Sequence, residues 1–77
     1  MNVDIITPDK NLFTGEASSI IAPGSDGSLG ILDNHAPLIS SLKEGEIKLT
    51  TVEGEKYFTV KGGVIEVLNN KVIILAG

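Results

Sequence analysis

Glu46-Ile47-Lys48-Leu49-Thr50-Thr51-Val52-Glu53-Gly54-Glu55-Lys56-Tyr57-Phe58-Thr59-Val60-Lys61 is the stretch whose reading decides the fold. In its first half Ile47, Leu49 and Thr51 alternate with Glu46, Lys48 and Thr50; in its second, Phe58 and Val60 alternate with Tyr57, Thr59 and Lys61. Residues two apart lie on one face of a strand, so the pattern is that of two half-buried strands around Glu53-Gly54. A two-residue turn there sets Leu49 opposite Phe58, Ile47 opposite Val60 and Glu46 opposite Lys61. Slipping by one residue would turn both apolar rows to mismatched faces, so the pattern selects this register or one two residues away. Glu53 would need a positive φ in such a turn, and a four-residue loop is the alternative.

Working downstream, Val64-Ile65-Glu66-Val67-Leu68 and Lys71-Val72-Ile73-Ile74-Leu75 flank Asn69-Asn70, a pair that tolerates left-handed backbone. This second hairpin sets Val67 against Val72 and Ile65 against Ile74. Gly62-Gly63 between the hairpins marks a tight bend, where a strand changes sheets or another backbone comes close. Upstream, Val3 to Thr7 reads as a strand, Pro8-Asp9-Lys10-Asn11 as a turn, and Leu12 to Ala22 as one longer or bent strand containing Gly15. No stretch keeps a 3.6-residue period over the ten or more residues a helix needs, so the residues predict an all-β sandwich of short strands.

Pro23 to Leu38 breaks the regularity: it holds three of the nine glycines, two of the three prolines and the only histidine. Loops carry function more often than the strands they join, so a site is sought here first. Gly24, Gly27 and Gly30 have the spacing of a phosphate-cradling loop, but no helix N-terminus follows, and a turn-and-bulge role is the better reading. His35 with Asp33 or Asp26 suggests a general base oriented by a carboxylate, yet no nucleophile completes it. The same three side chains lack the number and spacing of a zinc or calcium site.

Bulk composition narrows the function classes. Seventy-seven residues, 42% of them hydrophobic and 16 charged, allow one packed domain, spanning 1–77, of modest stability. A partner that covers part of such a domain stabilises it. The formal charge is −4, with six lysines and no arginine, and Phe13, Tyr57 and Phe58 are the only aromatics. Clustered cations, the arginine fork and a stacking platform are all missing, which disfavours nucleic acid as a partner. Lys43, Lys48 and Lys61 are read as solvated outward positions beside Glu44 and Glu46. Without cysteine, neither disulfides nor thiolate metal sites hold the domain together. The longest apolar run, Val72 to Ala76, is far short of the ~20 residues of a membrane-crossing helix. Asp4 stands where a signal peptide would need basic residues, so a cytoplasmic protein without direct membrane insertion is expected.

Across this framework, Pro23-Gly24, Gly27, Leu29-Gly30-Ile31, His35-Ala36-Pro37-Leu38, Leu42 and Gly45 resemble the N-terminal domain of the epsilon subunit of F-type ATP synthases. Phe58, Val60, Gly62-Gly63, Glu66-Val67, Val72 and Leu75-Ala76 continue the likeness, so it spans essentially the whole chain in order. The resemblance implies a ten-stranded β-sandwich of two sheets. It also implies a non-catalytic, cofactor-free subunit of the central stalk, bound to the gamma subunit and resting on the polar loops of the c-ring at the cytoplasmic face of the membrane. Such a subunit couples ion-driven rotation to ATP synthesis. Carried over by position, Ser25, Asp26, Gly27, Ser28 and His35 fall on the ring-facing edge, and Ser40, Ser41 and Leu42 where gamma contacts are expected. Asp33-Asn34 replaces the Pro-Gly frequent in the family, and Ser28 stands at a position often acidic. Asp26 and Asp33 remain as an acidic rim that orients docking on cationic loops. The family continues into a two-helix hairpin; ending at Gly77, this chain is expected to have neither hairpin inhibition nor an ATP site. The alternative is a generic small β-sandwich that binds ligands or mediates adhesion.

Overall fold

The computed structural model describes all residues from Met1 to Gly77. Nine strands form: β1 (Asn2–Ile6), β2 (Asn11–Glu16), β3 (Ser19–Gly24), β4 (Gly27–Leu32), β5 (Leu38–Leu42), β6 (Gly45–Thr51), β7 (Gly54–Val60), β8 (Gly63–Leu68) and β9 (Lys71–Ala76). The fold is all-β, as the periodicity predicts. Two halves are evident, β2-β1-β9-β8-β5 and β4-β3-β6-β7. Their inward residues merge into one core: Val3 and Ile5 of β1, Ile65 and Val67 of β8, and Val72 and Ile74 of β9 cluster with Ile20, Ile31, Ile47 and Leu49 from the other half.

The ten strands in two sheets that the resemblance implies are corrected to nine strands in one continuous curled sheet. The reason lies in β3, whose one edge serves two partners. Ser19, Ile20 and Ile21 pair with Thr50, Leu49 and Lys48 of β6, while Gly24 pairs with Leu42 of β5. Backbone bonds from Lys43 N to Pro23 O (2.8 Å) and from Ser25 N to Ser41 O (3.0 Å) complete the seam. The single strand expected from Leu12 to Ala22 is likewise divided at Ala17-Ser18. There the chain changes partners, Ala17 N donating to Met1 O and Ser18 N to Thr50 O.

In the β6–β7 hairpin, Ile47 pairs with Phe58, Leu49 with Lys56 and Gly45 with Val60. That is the register two residues from the one first set out, with the turn at Val52-Glu53 instead of Glu53-Gly54. Both apolar rows keep their faces, since the side-chain period is two. Thr51 decides the shift: its hydroxyl accepts from Glu53 N (3.1 Å) and donates to Gly54 O (2.8 Å). The positive φ, 107°, falls on Gly54, where no side chain resists it. Glu46 consequently faces Thr59, not Lys61. Instead Lys48 reaches Glu55 at 3.0 Å, and the Tyr57 hydroxyl donates to the same carboxylate at 2.9 Å.

The β8–β9 hairpin has the predicted register, Val67 on Val72 and Ile65 on Ile74, and both turn residues are left-handed, Asn69 at φ 51° and Asn70 at φ 60°. β1 runs parallel to β9. That contact joins the two ends of the chain, and no local pattern announces it.

Candidate docking surface

Much of the segment read as irregular is extended chain. Pro23 and Gly24 close β3, Ser25-Asp26 form a two-residue turn, and β4 pairs with β3 over six positions from Ser19–Leu32 to Gly24–Gly27. Ser25, Asp26, Gly27 and Ser28 are all exposed at this hairpin tip. Ser41 of β5 lies against the same tip, its hydroxyl donating to Ser25 Oγ at 2.8 Å. Ser25 and Ser41 therefore belong to one continuous surface, although the sequence reading assigns them to different partners. Ser40 is half-buried beside it, and Leu42 is buried in the core, so only its backbone remains for a contact.

His35 is elsewhere. It follows the far end of β4, the six residues of that strand lying between it and the hairpin tip. Its backbone N–H donates to Leu32 O at 3.2 Å, and its ring Nδ1 lies 2.7 Å from the neighbouring Ala36 O. That is its only side-chain hydrogen bond, so no serine or carboxylate is arranged around it for proton transfer. Asp26 and Asp33 are separated by the length of β4, and no three His, Asp or Glu side chains come together as a metal site.

Asp33 has a different occupation. Its carboxylate lies 2.6 Å from the Met1 ammonium, which also donates to Ala17 O at 2.9 Å, with Glu16 at 3.8 Å. Asn70, on the β8–β9 turn, accepts from Asn34 N at 2.8 Å and so fastens the β4–β5 loop from the other side. The ammonium's hydrogen bond and charge hold the Asp33 carboxyl below its ordinary 3.8. Lys48, and then Tyr57, hold Glu55 below its ordinary 4.5 in the same way. Both carboxylates bind protons less readily folded than unfolded, so their contribution is complete above those ordinary values and is lost as pH falls through the lower folded ones. Thermal melts from about pH 7 to about pH 2 are expected to show Asp33→Asn less stable than the parent at neutral pH and converging with it at the acid end. A constant gap between the two curves would contradict this account of the clasp.

Four of the eight large exposed hydrophobic side chains lie together on the outer side of β5, β8 and β9. Ile39 is 71% exposed, and Val64, Leu68 and Leu75 are each at least two-fifths exposed. A shallow cleft between Pro37, Leu38, Ile39, Glu66, Val67 and Leu68 runs along this side. Neither the alternation of β8 nor that of β9 reveals it from sequence, because outward valine and leucine look like core residues until the register is known.

The surface thus consists of a hairpin tip whose one charge is Asp26, a seam and an apolar sheet side, with no convergent set of reactive groups. The family pattern for the ATP synthase delta/epsilon chain, β-sandwich domain, matches residues 1–77. The chain belongs to that family. Among its relatives, the ATP synthase epsilon chain of Dichelobacter nodosus is 51% identical over 75 residues, covering 96% of this chain and 52% of that protein. The epsilon chain of Chlorobium limicola is 46% identical over 74 residues, covering 95% of this chain and 84% of its own. A chain in the cryo-EM structure of the Tetrahymena thermophila mitochondrial ATP synthase central stalk and c-ring superposes with TM-score 0.80 at 26% identity, covering 99% of this chain and 62% of that one. The chain spans about half the length of several of the curated relatives it matches, 52% and 56% for the Dichelobacter nodosus and Desulforamulus reducens proteins.

Proposed function

We propose that this delta/epsilon-family domain is a non-catalytic coupling module of the rotary ATP synthase, seated between the gamma subunit and the c-ring at the cytoplasmic face of the membrane. The observation that carries the reading is the family match along all 77 residues. The likeness to a chain in a central stalk and c-ring assembly supports it. The chemistry agrees, since torque transmission needs stiffness and contacts, not reactive groups. Thirty-eight backbone hydrogen bonds within the strands stiffen the sheet, and no buried side-chain polar atom lacks a partner.

Ring contact is assigned to Ser25, Asp26, Gly27, Ser28 and His35, and gamma contact to Ser40, Ser41 and Leu42. The chain has no cysteine, so single cysteines at Ser28, His35 and Ser40 give unambiguous crosslinks in the assembled synthase. Ser28→Cys and His35→Cys are expected to crosslink to the ring and Ser40→Cys to gamma. Crosslinking of His35→Cys to gamma would move that end of β4 to the other partner; failure of all three to reach either subunit would sink the reading.

A further inference from the structure

Of the four aspartates, Asp26 alone is followed by glycine, and none of the five asparagines is. An aspartyl carboxyl can react with its own backbone, because the amide nitrogen of the next residue closes a five-membered ring onto Cγ. The fold decides where this happens. The reaction needs a carboxyl that nothing holds, a following amide free to move, and room beside it.

Three of the aspartates fail these conditions. Asp4 lies in the middle of β1, paired on both sides, with Lys71 at 3.9 Å and the branched Ile5 after it. After Asp9, the Lys10 amide donates to Thr7 Oγ1 at 3.1 Å. Asp33 is held by the Met1 ammonium at 2.6 Å, and the Asn34 amide after it donates to Asn70 Oδ1 at 2.8 Å. Asp26 differs on each count. It is exposed in a two-residue turn, and its carboxylate takes part in no ion pair and no side-chain hydrogen bond. Gly27 has no side chain to shield its amide, sits at φ 134°, and has no atom within 4 Å of where a Cβ would stand. Its strand pairing is with Gly24 alone, at the last position of the hairpin, where local opening costs least.

We propose that Asp26-Gly27 is a covalent ageing site, where aspartate isomerises to isoaspartate without an enzyme. The Gly27 nitrogen bonds to Asp26 Cγ; its proton and the hydroxyl of the protonated carboxyl leave as one water, and a succinimide closes. A second water then opens the ring. Entry at Cγ restores aspartate, whereas entry at the α-carbonyl carbon leaves Gly27 joined through the side chain, with a carboxylate on Cα. No oxidant or reductant takes part, and the net charge is unchanged. The backbone gains one carbon inside a two-residue turn whose length fixes the β3–β4 register. The bonds from Ser41 Oγ to Ser25 Oγ (2.8 Å) and from Ser25 N to Ser41 O (3.0 Å) lie one residue away, so the tip and the seam are disturbed together. Isomerisation therefore loosens the ring contact as the assembly ages, a consequence that rests on the ring reading of the tip proposed above.

The test ages the whole chain in native buffer at neutral pH and measures isoaspartate at each site by electron-transfer mass spectrometry. Asp26 is expected to isomerise at least about tenfold faster than Asp4, Asp9 or Asp33, which must first open locally. Ageing in urea separates fold from sequence: Asp26 should change rate by less than about tenfold, while the other three speed up. Asp26→Glu needs a larger ring and is expected to form no isomer at this position. A folded chain in which Asp26 isomerises no faster than Asp9, or more than about tenfold slower than in urea, overturns the proposal, since the Gly24–Gly27 pairing would then protect the turn. In the assembled synthase, crosslinking of Ser28→Cys to the ring is expected to fall as isoaspartate accumulates. Unchanged crosslinking overturns the effect on docking; absence of crosslinking in the fresh synthase overturns the ring reading and leaves the isomerisation standing.

Discussion

Gly63→Ala is expected to remove most of the stability of this domain. Gly63 sits at φ 138°, and a Cβ there would collide with the Leu75 carbonyl oxygen and lie 3.0 Å from Ala76 Cα. The residue pairs with Leu42 on one side and Ala76 on the other, so it is where β5, β8 and β9 are held together. An alanine must push the end of β9 away and expose Ala76 as well as take up a disfavoured backbone conformation. A loss of about 3–5 kcal/mol is expected from strain and clash together. At roughly 0.05–0.15 kcal/mol per residue a chain of this length holds about 4–12 kcal/mol in all, so the variant should melt at least about 12 °C lower or fail to fold. Two controls separate the causes. Gly54→Ala, at φ 107° with nothing near its Cβ, should lose only about 1–2 kcal/mol, and Gly30→Ala should stay within about 0.5 kcal/mol. Parental melting of Gly63→Ala would refute the close approach of β8 and β9.

Adjacent residues on β9 give the second large effect. Ile74 is fully buried opposite Ile65, while Leu75 is 53% exposed on the other side of the same strand. Ile74→Ala should lose about 3 kcal/mol, through lost burial and the cavity left behind. Leu75→Ala should change stability by about 0.5 kcal/mol or less in the isolated chain. Urea unfolding of the two variants measures the difference directly, and equal losses would mean that β9 is not in the described register. Binding partners could reverse the ranking for assembly, because Leu75 belongs to the apolar outer side.

What the sequence made legible follows from how local each determinant is. The β8–β9 register could be read completely because Asn69-Asn70 pins the turn within the hairpin itself. The β6–β7 register could be read only to within two residues, since alternation repeats at that interval, and the choice rests on the Thr51 hydroxyl capping its own turn. The break at Ala17-Ser18 was hidden, because it exists only where Met1 and Thr50 arrive as partners from distant parts of the chain. β4 was hidden for a different reason: Ser28 and Gly30 remove the apolar–polar contrast that marks a strand.

The candidate surface was legible in part. The turn-and-bulge character of Gly24, Gly27 and Gly30 was readable, but the bond between Ser25 and Ser41 joins residues sixteen apart and could not be foreseen. Nor could the capture of Asp33 by Met1, which removes one of the two carboxylates expected to form an acidic rim. Sequence pattern therefore singled out one segment, and the fold decided which of its charges remain available.

Co-expression of the 77-residue chain with gamma from the same organism, followed by purification through a tag on gamma alone, tests the central claim most directly. The account predicts a stable, stoichiometric complex that survives size-exclusion chromatography. A folded chain that elutes entirely free of gamma would contradict it.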